Sequence, residues 1–494
     1  MTYKDLLKHI SSPNAPRIYA DSRAVQAGSV FVAVRGGVYD GHDFISQAVE
    51  KGAAYIVCEQ YKPGLADSGS EIIVVEDSAR AAAQLAQARA GNPASQLTNL
   101  AVTGTNGKTT VAFLVRSCIQ QAGDKCGLIG TVLYDTGQVC AQACLTTPDC
   151  FAVAEMQSQM VKAGCKYMVI EASSHALSQK RLAGINFKAA AFTNLAGDHM
   201  DYHKTKDDYL AAKAALFESL PPGATAVLNR MSPDAAQIAR RIRTSQNTII
   251  WYAVDSRADI TADIESMDVT GTTFTLKYEK QSAKVQTPLL GRYNVSNHLA
   301  AAGLCLAAGL ELDTIAAGLS ALKNIPGRLE KVDFDGDFDL VIDYAHTDDA
   351  LSKVLTALKP LCGARLIVVF GCGGDRDRTK RPRMARVAER LADFVVVTSD
   401  NPRTEKPGDI ITEVLSGFEN PDSPGLAVES DRRKAIELAV ENAGEKDIVI
   451  IAGKGHETYQ IIGNERIEFS DKAVAEQCLH RLKQKSFQSG PSLR

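Results

Sequence analysis

The chain contains 494 residues, of which 45% are hydrophobic and 23% are charged, and its formal net charge is −3 at pH 7. This length exceeds that of one ordinary folding unit, so we expect three domains. The composition excludes disordered and fibrous proteins, and the lack of a basic excess argues against nucleic acid as a partner. The eleven cysteines are scattered without a CxxC pair, which favours reduced thiols and argues against zinc.

The N-terminal stretch MTYKDLLKHISS has charges within its short apolar run, so we do not expect a signal peptide. No uncharged stretch approaches the roughly 18 residues of a membrane span. These patterns predict a cytoplasmic protein.

Residues 1–97 are predicted to form a small α/β domain. The runs SVFVAVRG, AAYIVCE and EIIVVED are β-rich, and helices are expected at residues 44–51 and 78–90. The turn GNPAS that follows the second helix is a plausible linker.

Residues 98–325 are predicted to form a second domain that alternates strands and helices. The apolar stretches KYMVIEAS and AAAFTNLAGDHMDYH each end in polar residues. Such alternation predicts a parallel sheet with helices on both faces, and ligands gather at the carboxyl ends of its strands. We therefore expect Glu171, Asn194, Asp198 and His199 on one rim.

Residues 326–494 repeat this pattern after the segment NIPGRLE. Four apolar strands, in DLVIDYAH, ARLIVVFGCGGDRD, DFVVVTSDNPR and DIVIIAGKGHE, each end in a polar cluster. The predicted fold class is therefore α/β with three domains: a small N-terminal domain, a central P-loop domain with a parallel sheet, and a C-terminal Rossmann-like domain.

The segment LAVTGTNGKTTVAFLV predicts a phosphate-binding loop between a strand and a helix. Its glycines allow backbone N–H groups to face an anion at the helix N-terminus, and Lys108 can reach the terminal phosphates. Thr109 can ligate Mg²⁺. The common GxxxxGK[ST] spacing is not met, and the alternative is a solvated turn, but the combination favours a nucleoside triphosphate.

Two further candidates for metal binding have ordinary alternative interpretations. Glu171 ends a buried strand, where a carboxylate needs a partner, and Mg²⁺ is the natural one; His199 could join it. A helix cap for Glu171 and a surface histidine for His199 are equally plausible from the residues alone. Lys213, on an alanine-rich helix, is by default a solvated lysine.

The chain resembles the Mur ligases of peptidoglycan synthesis. The resemblance is carried, in order, by the motifs GTNGKTT, EASSHAL, FTNLAGDHMDYH, GRYNVSNHLAA, PGRLE, DYAHT, GCGGDRDRTKRP, DNPR and GKGHE. It implies an ATP-dependent amide ligase with an N-terminal UDP-binding domain, a central ATPase domain and a C-terminal amino-acid-binding domain. In this family ATP phosphorylates the carboxylate of the nucleotide-linked substrate, and an incoming amine attacks the acyl phosphate.

The resemblance also implies roles for individual residues. The implied catalytic residues are Lys108, Lys213 and His346. The implied ATP-binding residues are Gly104, Thr105, Asn106, Gly107, Lys108, Thr109, Thr110, Asn297, Arg328 and Asp343. The implied metal ligands are Thr109, Glu171, His199 and Lys213, the last as a carbamylated lysine that serves Mg²⁺. Because Arg328, Asp343 and His346 lie in a different domain from the phosphate loop, we expect domain closure to assemble the site.

Substrate-binding residues follow from the same resemblance. Those implied for the UDP-muramoyl peptide, near DSR and GHDF in the N-terminal domain and in the central motifs, are Ser22, His42, Thr146, Thr147, Ser173, Gln179 and Arg181. Those implied for the incoming amino acid are Arg376, Asp400, Asn401, Pro402, Arg403, Gly453 and Glu457. The family usually has a proline where this chain has Asp348, which we expect to loosen the loop after His346.

The side chain of Arg403 favours meso-diaminopimelate over L-lysine as the incoming amino acid. The two differ by one distal carboxylate, for which Arg403 offers a bidentate guanidinium, with Arg376 nearby. A bound lysine would leave this cation desolvated without its anion, which costs roughly several hundredfold in discrimination. A surface arginine after a turn proline is the alternative.

The expected substrates are therefore ATP, UDP-N-acetylmuramoyl-L-alanyl-D-glutamate and meso-diaminopimelate, and we expect a monomer. Three other hypotheses stay open. The protein could add L-lysine, could be a related ligase such as a folylpolyglutamate synthetase, or could be a P-loop ATPase that acts as a switch. The last would leave DNPR and GKGHE without a purpose.

Overall fold

The computed structural model describes residues 1–37, 39–61, 69–197, 200–242 and 246–488. The first sheet has four parallel strands in the order β1-β2-β3-β4. Its strands are β1 (Ile18–Tyr19), β2 (Val30–Val32), β3 (Tyr55–Cys58) and β4 (Glu71–Val74), and its helices are α1 (Tyr3–Ile10), α2 (Ile45–Glu50) and α3 (Ser78–Arg89). Helix α3 begins after Asp77, whose carboxylate accepts a hydrogen bond from the backbone N–H of Arg80.

The second sheet has eleven strands in the order β15-β14-β13-β12-β11-β10-β5-β9-β6-β7-β8. The strands are β5 (Thr98–Thr103), β6 (Cys126–Ile129), β7 (Leu133–Asp135), β8 (Cys140–Gln142), β9 (Tyr167–Glu171), β10 (Phe187–Phe192), β11 (Thr225–Asn229), β12 (Thr248–Ala253), β13 (Ile260–Asp268), β14 (Gly271–Tyr278) and β15 (Gln281–Thr287). The helices are α4 (Lys108–Gln121), α5 (Cys150–Lys162), α6 (Ser174–Ser178), α7 (Met200–His203), α8 (Lys206–Glu218), α9 (Ala235–Arg240), α10 (Arg292–Ala307) and α11 (Leu312–Ala321).

The middle of this sheet is parallel, as predicted, but both of its edges are antiparallel. Strands β13, β14 and β15 form a meander, and β7 and β8 extend the opposite edge. Two-residue connections at 269–270 and 279–280 join the meander strands, and such short turns permit only antiparallel pairing. Strand β14 alternates buried and half-buried residues, the pattern of a sheet with one covered face.

Two apolar layers enclose the second sheet. Helices α4, α10 and α11 contribute to one layer, which includes Val111, Leu299 and Ile315. The other layer includes Phe192 and Phe217. Strand β5 is covered on both faces, so all of its residues after Thr98 are buried, and its carboxyl end leads directly into the phosphate loop.

The third sheet has six strands in the order β16-β17-β21-β18-β19-β20, and all neighbours except β16 and β17 are parallel. The strands are β16 (Glu330–Lys331), β17 (Asp339–Asp343), β18 (Leu366–Cys372), β19 (Phe394–Ser399), β20 (Leu426–Val428) and β21 (Ile448–Ala452). A separate hairpin contains β22 (Tyr459–Ile462) and β23 (Glu465–Glu468). The helices are α12 (Asp348–Leu358), α13 (Lys380–Leu391), α14 (Pro407–Leu415), α15 (Arg432–Asn442) and α16 (Asp471–Gln488).

The three sheets occupy consecutive parts of the chain. Their strands cover residues 18–74, 98–287 and 330–452, so each sheet lies within one of the predicted domains. The boundaries at residues 97/98 and 325/326 stay predictions. Within the described ranges, no helix combines the length and the apolar character needed to cross a membrane.

Candidate active site

The phosphate loop joins β5 to α4, which begins at Lys108. Gly107 has a φ of 90° and is the N-cap of the helix, and an added Cβ there would overlap the side-chain amide of Asn297. A residue with a side chain would therefore lose both this backbone conformation and the close approach of α10. The ammonium of Lys108 donates to the carbonyls of Gly104 and Thr105, each at 2.9 Å. The loop thus has the form of an anion cradle at a helix N-terminus.

Glu171, the last residue of β9, lies beside this loop and is fully buried. One carboxylate oxygen accepts from the Thr131 backbone N–H at 2.8 Å. The other accepts from the hydroxyls of Thr109 at 3.0 Å and Thr131 at 2.9 Å. Hydroxyl and amide donors, rather than a cationic side chain, therefore satisfy this buried carboxylate.

The residues at this rim are compatible with Mg²⁺. The Thr109 hydroxyl and the Glu171 carboxylate are hard oxygen donors, and Mg²⁺ is typically held by one or two protein ligands together with phosphates and water. Among the described residues, no group of three or more His, Cys, Asp or Glu side chains converges on one point. The predicted rim residues Asp198 and His199 lie outside the described residues.

Lys213 is almost completely buried, which excludes the interpretation of a solvated lysine. Its ammonium donates to the Gly104 carbonyl at 3.0 Å and lies 4.3 Å from the centre of the Tyr209 ring. Tyr209 in turn contacts the Thr105 hydroxyl at 3.2 Å. Helix α8 therefore delivers Lys213 directly to the phosphate loop, although it lies more than a hundred residues away in the sequence.

A cavity of about 70 Å³ separates the phosphate loop from the third sheet. It is lined by Asn106, Gly107, Thr109, Thr110, Tyr293, Asn294, Asn297, Arg328, Asp343, Ala350, Lys353 and Val354. The structure thus brings together most of the residues predicted to bind ATP, from both domains. Burial raises the pKa of Asp343. Its carboxylate accepts hydrogen bonds from the backbone N–H groups of Leu329 and Ala345, and these bonds lower the pKa.

Two hydrogen bonds link the domains across this cavity. Arg328 donates to the Thr109 hydroxyl at 3.1 Å, and the Asn106 amide donates to Asp349 at 2.7 Å. The Arg328 guanidinium stacks on Tyr344 at 4.8 Å, and its Nε is buried without a partner among the residues that the structure describes. A half-buried cation with a buried, unused donor at this place suits an anionic ligand.

The structure does not show the loosened loop that was expected at Asp348. Thr347 is the N-cap of α12, accepting a hydrogen bond from the Ala350 backbone N–H, and Asp348 is the first helical residue. Its carboxylate accepts from Arg383 at 3.2 Å. An acidic residue in the first turn is favourable because it interacts with the positive end of the helix dipole.

A second cavity, of about 540 Å³, lies between the carboxyl edges of the second and third sheets; it is called the large cavity below, in contrast to the small cavity at the phosphate loop. The central domain contributes Thr131, Gln142, Thr146 and His175 among others, and the third sheet contributes His346, Arg376, Asp400, Asn401, Arg403, Gly453 and Glu457. Of the residues predicted for the incoming amino acid, only Pro402 is not part of this lining. The cavity also contains Asp377, Lys380 and Arg383, so its charges are mixed.

One end of the large cavity pairs cations with carboxylates. Burial and the neighbouring Arg376 lower the pKa of Arg403, whose Nη1 donates to the Gly374 carbonyl at 2.7 Å. Nearby, Lys454 is fully buried and donates to Glu457 at 2.8 Å and to the Asn401 side chain at 3.1 Å. Opposite charges held this close can orient a zwitterion.

His346 and His456 both line the large cavity beside the buried ring of Tyr344. His346 Nδ1 lies 2.9 Å from the Tyr344 carbonyl, to which it can donate. Burial and the Arg328 cation lower the pKa of His456 to about 4, so this ring is neutral at pH 7. These contacts assign no chemical step to His346, and its catalytic role stays a prediction.

A third cavity, of about 590 Å³, lies between the first sheet and the central domain. It is lined by residues that include Asp21, Arg35, Phe151, Gln179 and Arg181. Arg181 donates to the Thr147 carbonyl at 2.7 Å and to Gln179. The structure therefore brings Gln179 and Arg181 to a cavity that is large enough for a nucleotide sugar fragment.

The other residues predicted to bind the UDP-muramoyl peptide have partners within the protein. Ser22 donates to Gln47 at 2.6 Å, and His42 bonds Asp40 at 2.6 Å while accepting from the Glu59 backbone N–H. Thr147 is buried and donates to the Glu171 carbonyl, and Ser173 caps α6. Thr146 lines the large cavity, 3.0 Å from the Thr131 hydroxyl. Their substrate contacts stay predictions.

Several residues of the site were not recognised in the sequence. Thr131 and Asp349 have common residue types and no motif of their own, so only the three-dimensional contacts reveal them. Lys454, between the glycines of GKGHE, could have been found, because a lysine in a glycine-rich turn after an apolar strand is unusual enough to suggest a buried partner.

Family models match most of the chain. A Mur ligase catalytic-domain model matches residues 17–90, the Mur ligase middle domain matches residues 102–305, and the Mur ligase glutamate ligase domain matches residues 327–455. The matched regions contain, in order, the first sheet, the phosphate loop with its rim, and the carboxyl edge of the third sheet.

Whole-length relatives agree with these matches. A UDP-N-acetylmuramoyl-L-alanyl-D-glutamate–2,6-diaminopimelate ligase of Geobacillus kaustophilus is 42% identical over 94% of this chain and 95% of its own. The enzyme of the same name from Gloeobacter violaceus is 43% identical over 93% of both chains.

Solved structures resemble the whole fold. The structure of a UDP-N-acetylmuramoyl-L-alanyl-D-glutamate–2,6-diaminopimelate ligase matches with a TM-score of 0.67 and 33% identity, covering 95% of this chain and 96% of its own. MurF from Acinetobacter baumannii, at 19% identity and a TM-score of 0.63, covers 97% of this chain and 98% of its own, and shares the fold. Because the chain is more than 40% identical to whole-length relatives and family models match each part of its fold, it belongs to the Mur ligase family.

Proposed function

We propose that this protein is an ATP-dependent ligase that joins meso-diaminopimelate to the γ-carboxylate of D-glutamate in UDP-N-acetylmuramoyl-L-alanyl-D-glutamate. The observation that carries the proposal is the large cavity, which is bounded on one side by Thr131 and Thr146 beside the phosphate-loop rim and on the other by Arg403 and Glu457. A reaction that activates one substrate and joins it to another needs both ends in one enclosed space.

The proposed chemistry begins with the carboxylate of the nucleotide-linked substrate. A carboxylate is a poor electrophile, and phosphorylation by ATP converts it into an acyl phosphate with a good leaving group. Lys108, at the N-terminus of α4, would neutralise charge on the transferring phosphoryl group, and Arg328 would contribute a second cation from the C-terminal domain. The amine of the incoming amino acid then attacks the acyl carbon and releases phosphate.

We assign the incoming amino acid to the end of the large cavity that contains Arg403. The guanidinium groups of Arg403 and Arg376 repel each other, which favours a bound carboxylate between them. Glu457 and Asp400 offer carboxylates to the ammonium of the same amino-acid centre. L-Lysine has no distal carboxylate for Arg403, so it would leave that half-buried cation without an anion.

We further propose that Thr109 and Glu171 hold Mg²⁺, with His199 as a further ligand. When bound, the ion would neutralise the phosphate oxygens of ATP. Lys213 would serve a second Mg²⁺ after carbamylation, a modification that needs the neutral amine and converts a cation into an anion. Its burial beside the Gly104 carbonyl supports a role in the site rather than at the surface.

The remaining two cavities fit the other ends of the substrates. We assign the adenine of ATP to the small cavity at Asn297 and Asp343, and the muramoyl-peptide part of the UDP substrate to the region between Arg181 and Thr146. These substrates are water-soluble metabolites, and we propose that the reaction takes place in the cytoplasm.

Phosphate release from ATP tests the proposal. The assay contains the UDP-linked dipeptide and Mg²⁺, with meso-diaminopimelate in one reaction and L-lysine in another. We expect release only with diaminopimelate. Release only with lysine would retain the ligase mechanism but refute the assignment of Arg403, and release that is indifferent to both amino acids would refute a ligase and favour an ATPase.

A further inference from the structure

The hairpin of β22 and β23 packs against the loop that follows β19, which contains residues 400–403. The Gln460 side-chain amide donates to the Asp400 carbonyl at 2.6 Å, and the Ile461 backbone N–H donates to the Asn401 side chain at 2.9 Å. Arg403 continues the contact as a parallel bridge to Ile462. The hairpin therefore acts as an added strand for this loop.

Arg403 needs this support because its backbone is left-handed, with a φ of 52°. Such a conformation is unfavourable for a residue with a Cβ, so neighbouring contacts must hold it. The Arg403 N–H donates to the Ile461 carbonyl at 3.1 Å, and the Arg403 carbonyl accepts from the Gly463 N–H at 2.7 Å. Both main-chain groups of Arg403 are thus held by the hairpin.

This backbone conformation determines where the guanidinium of Arg403 lies. Its side chain extends to the Gly374 carbonyl, and a Cβ added at Gly373 would lie 3.0 Å from Arg403 Nη1. A Cβ at Gly374 would overlap the Pro402 carbonyl. The two glycines therefore leave just enough space for the loop, and a small rotation of the Arg403 backbone would displace its guanidinium from this position.

We propose that Gln460 is a positioning residue that sets the preference for an amino acid with a distal carboxylate, because it fixes the 400–403 loop and thereby the guanidinium of Arg403. This inference rests on the proposed function. Tyr459 lines the large cavity, but its neighbour Gln460 does not belong to that lining among the described residues. Gln460 thus acts through the loop and not by contact with substrate.

The position of the Gln460 bond makes it suited to this task. Asp400 and Arg403 are at opposite ends of the loop. The hydrogen bonds that join main-chain groups of the hairpin to main-chain groups of the loop are at the Arg403 end, and the Ile461 N–H binds the side chain, not the main chain, of Asn401. The Gln460 amide fixes the Asp400 end, next to Gly453, where a Cβ would lie 2.7 Å from the Asp400 carboxylate. Loss of the amide would release the Asp400 end of the loop. The groups that bind the carboxylate and the ammonium of the incoming amino acid would then lose their fixed relative positions.

Two substitutions of Gln460 test the inference. Gln460→Met keeps the length and volume of the side chain but removes the donor, and Gln460→Glu sets a carboxylate against the Asp400 carbonyl. We expect the KM for diaminopimelate to rise roughly fivefold in the first variant, the value of one hydrogen bond, and further in the second. The KM for ATP should stay within about twofold of the wild type, and the ratio of kcat/KM for diaminopimelate over lysine should fall by the same factor.

The control is Glu465→Gln, an exposed position on the other strand of the same hairpin, which should change none of these values. An unchanged KM for diaminopimelate in both Gln460 variants, or a parallel rise in the KM for ATP, would overturn the positioning role. A lowered melting temperature with unchanged selectivity would also overturn it, as evidence of a purely structural contact. Wild-type enzyme that does not use diaminopimelate would instead refute the proposed function, and this inference with it.

Discussion

Arg403 combines an unfavourable backbone conformation with a partly buried charge, so substitutions of this residue test the selectivity most directly. Arg403→Gly keeps the left-handed backbone at no steric cost and removes the whole side chain, including the guanidinium. We expect the KM for diaminopimelate to rise by roughly a hundredfold, because a bidentate ion pair in a half-buried site is lost, with little change in the KM for ATP. Steady-state kinetics with each substrate varied in turn measure both.

Arg403→Lys provides the comparison that separates charge from geometry. Lysine retains the positive charge but not the planar pair of donors, so we expect an intermediate KM. Arg390→Ala, at an exposed position on α13, is the neutral control. Equal increases in the KM values for diaminopimelate and ATP after Arg403→Gly would contradict the assigned pocket.

Lys213 is the second residue at which burial decides between hypotheses. Lys213→Ala should nearly abolish turnover, because the chain would lose the group proposed to carry the carbamate beside the phosphate loop. Short-chain carboxylic acids such as acetate should restore part of the activity by supplying an anion in the vacated space. Phosphate release measured against carboxylate concentration tests this.

A lysine on the same helix is the matched control for Lys213. Lys206 is exposed and pairs with Asp234 at 3.0 Å, so Lys206→Ala should retain wild-type turnover. Near-normal activity of Lys213→Ala without added acid would refute the carbamate role. Carbon-13 labelling of the wild-type enzyme with bicarbonate offers a direct readout that does not depend on turnover.

At the scale of elements, the start of α12 shows how a helix tolerates the loss of a family proline. Asp348 is the first helical residue, a position that suits proline, and Thr347 before it is extended with a ψ of 158°, as a residue before proline should be. We expect Asp348→Pro to be nearly neutral: the partly exposed pair with Arg383 contributes at most about 1 kcal/mol, and proline regains a similar amount by restricting the unfolded chain.

Thermal unfolding measures this balance. The melting temperature should change by no more than about 4 °C, and the KM for ATP should stay the same. Asp349→Pro is the contrasting variant, because it removes the carboxylate that accepts from Asn106 at 2.7 Å and should raise the KM for ATP. A large loss of stability in Asp348→Pro would show that the carboxylate has a role in this helix beyond the ion pair.

Elements with strong local signals were predictable from the sequence, and those defined by distant partners were not. The phosphate loop was recognised because glycine, lysine and threonine follow an apolar strand, and the structure has β5 and α4 there, with the helix beginning at Lys108. The meander of β13 to β15 was missed. Its strands contain many polar residues, and their pairing depends on two-residue turns that no sequence motif indicates.

The candidate site divides in the same way. Arg403 and Glu457 could be proposed because DNPR and GKGHE resemble motifs of the Mur ligases. The contact of Gln460 with Asp400 joins residues sixty positions apart through a side chain and a carbonyl, and a side chain that bonds to a carbonyl leaves no trace in the pattern of residue types. Ser22 and His42 show a different limit of the sequence. They lie in recognisable motifs, but the structure shows that their side chains bond to residues of their own domain.

At the scale of the whole molecule, each of the three cavities described above lies where two domains meet. The first sheet and the central domain enclose one cavity, and the central domain and the third sheet enclose the other two. Few side chains bridge the small cavity, chiefly Asn106 to Asp349 and Arg328 to Thr109. A small cavity that so few hydrogen bonds bridge can open for substrate entry and close for reaction.

Arg328 is the side chain whose loss should uncouple this closure from nucleotide binding. It lies in the short turn before β16, stacks on Tyr344 and donates across the domain boundary to Thr109, while its Nε has no partner within the described ranges. Arg328→Ala should therefore raise the KM for ATP at least tenfold and lower kcat, because both the cation and the bridge are lost. Small-angle X-ray scattering with a non-hydrolysable ATP analogue should show the wild type contracting and the variant not.

Lys434→Ala, at an exposed position on α15, should behave like the wild type in both measurements. Contraction of the Arg328 variant to the wild-type radius of gyration would mean that closure is driven from elsewhere in the interface, and Asn106 with Asp349 would then be the pair to change.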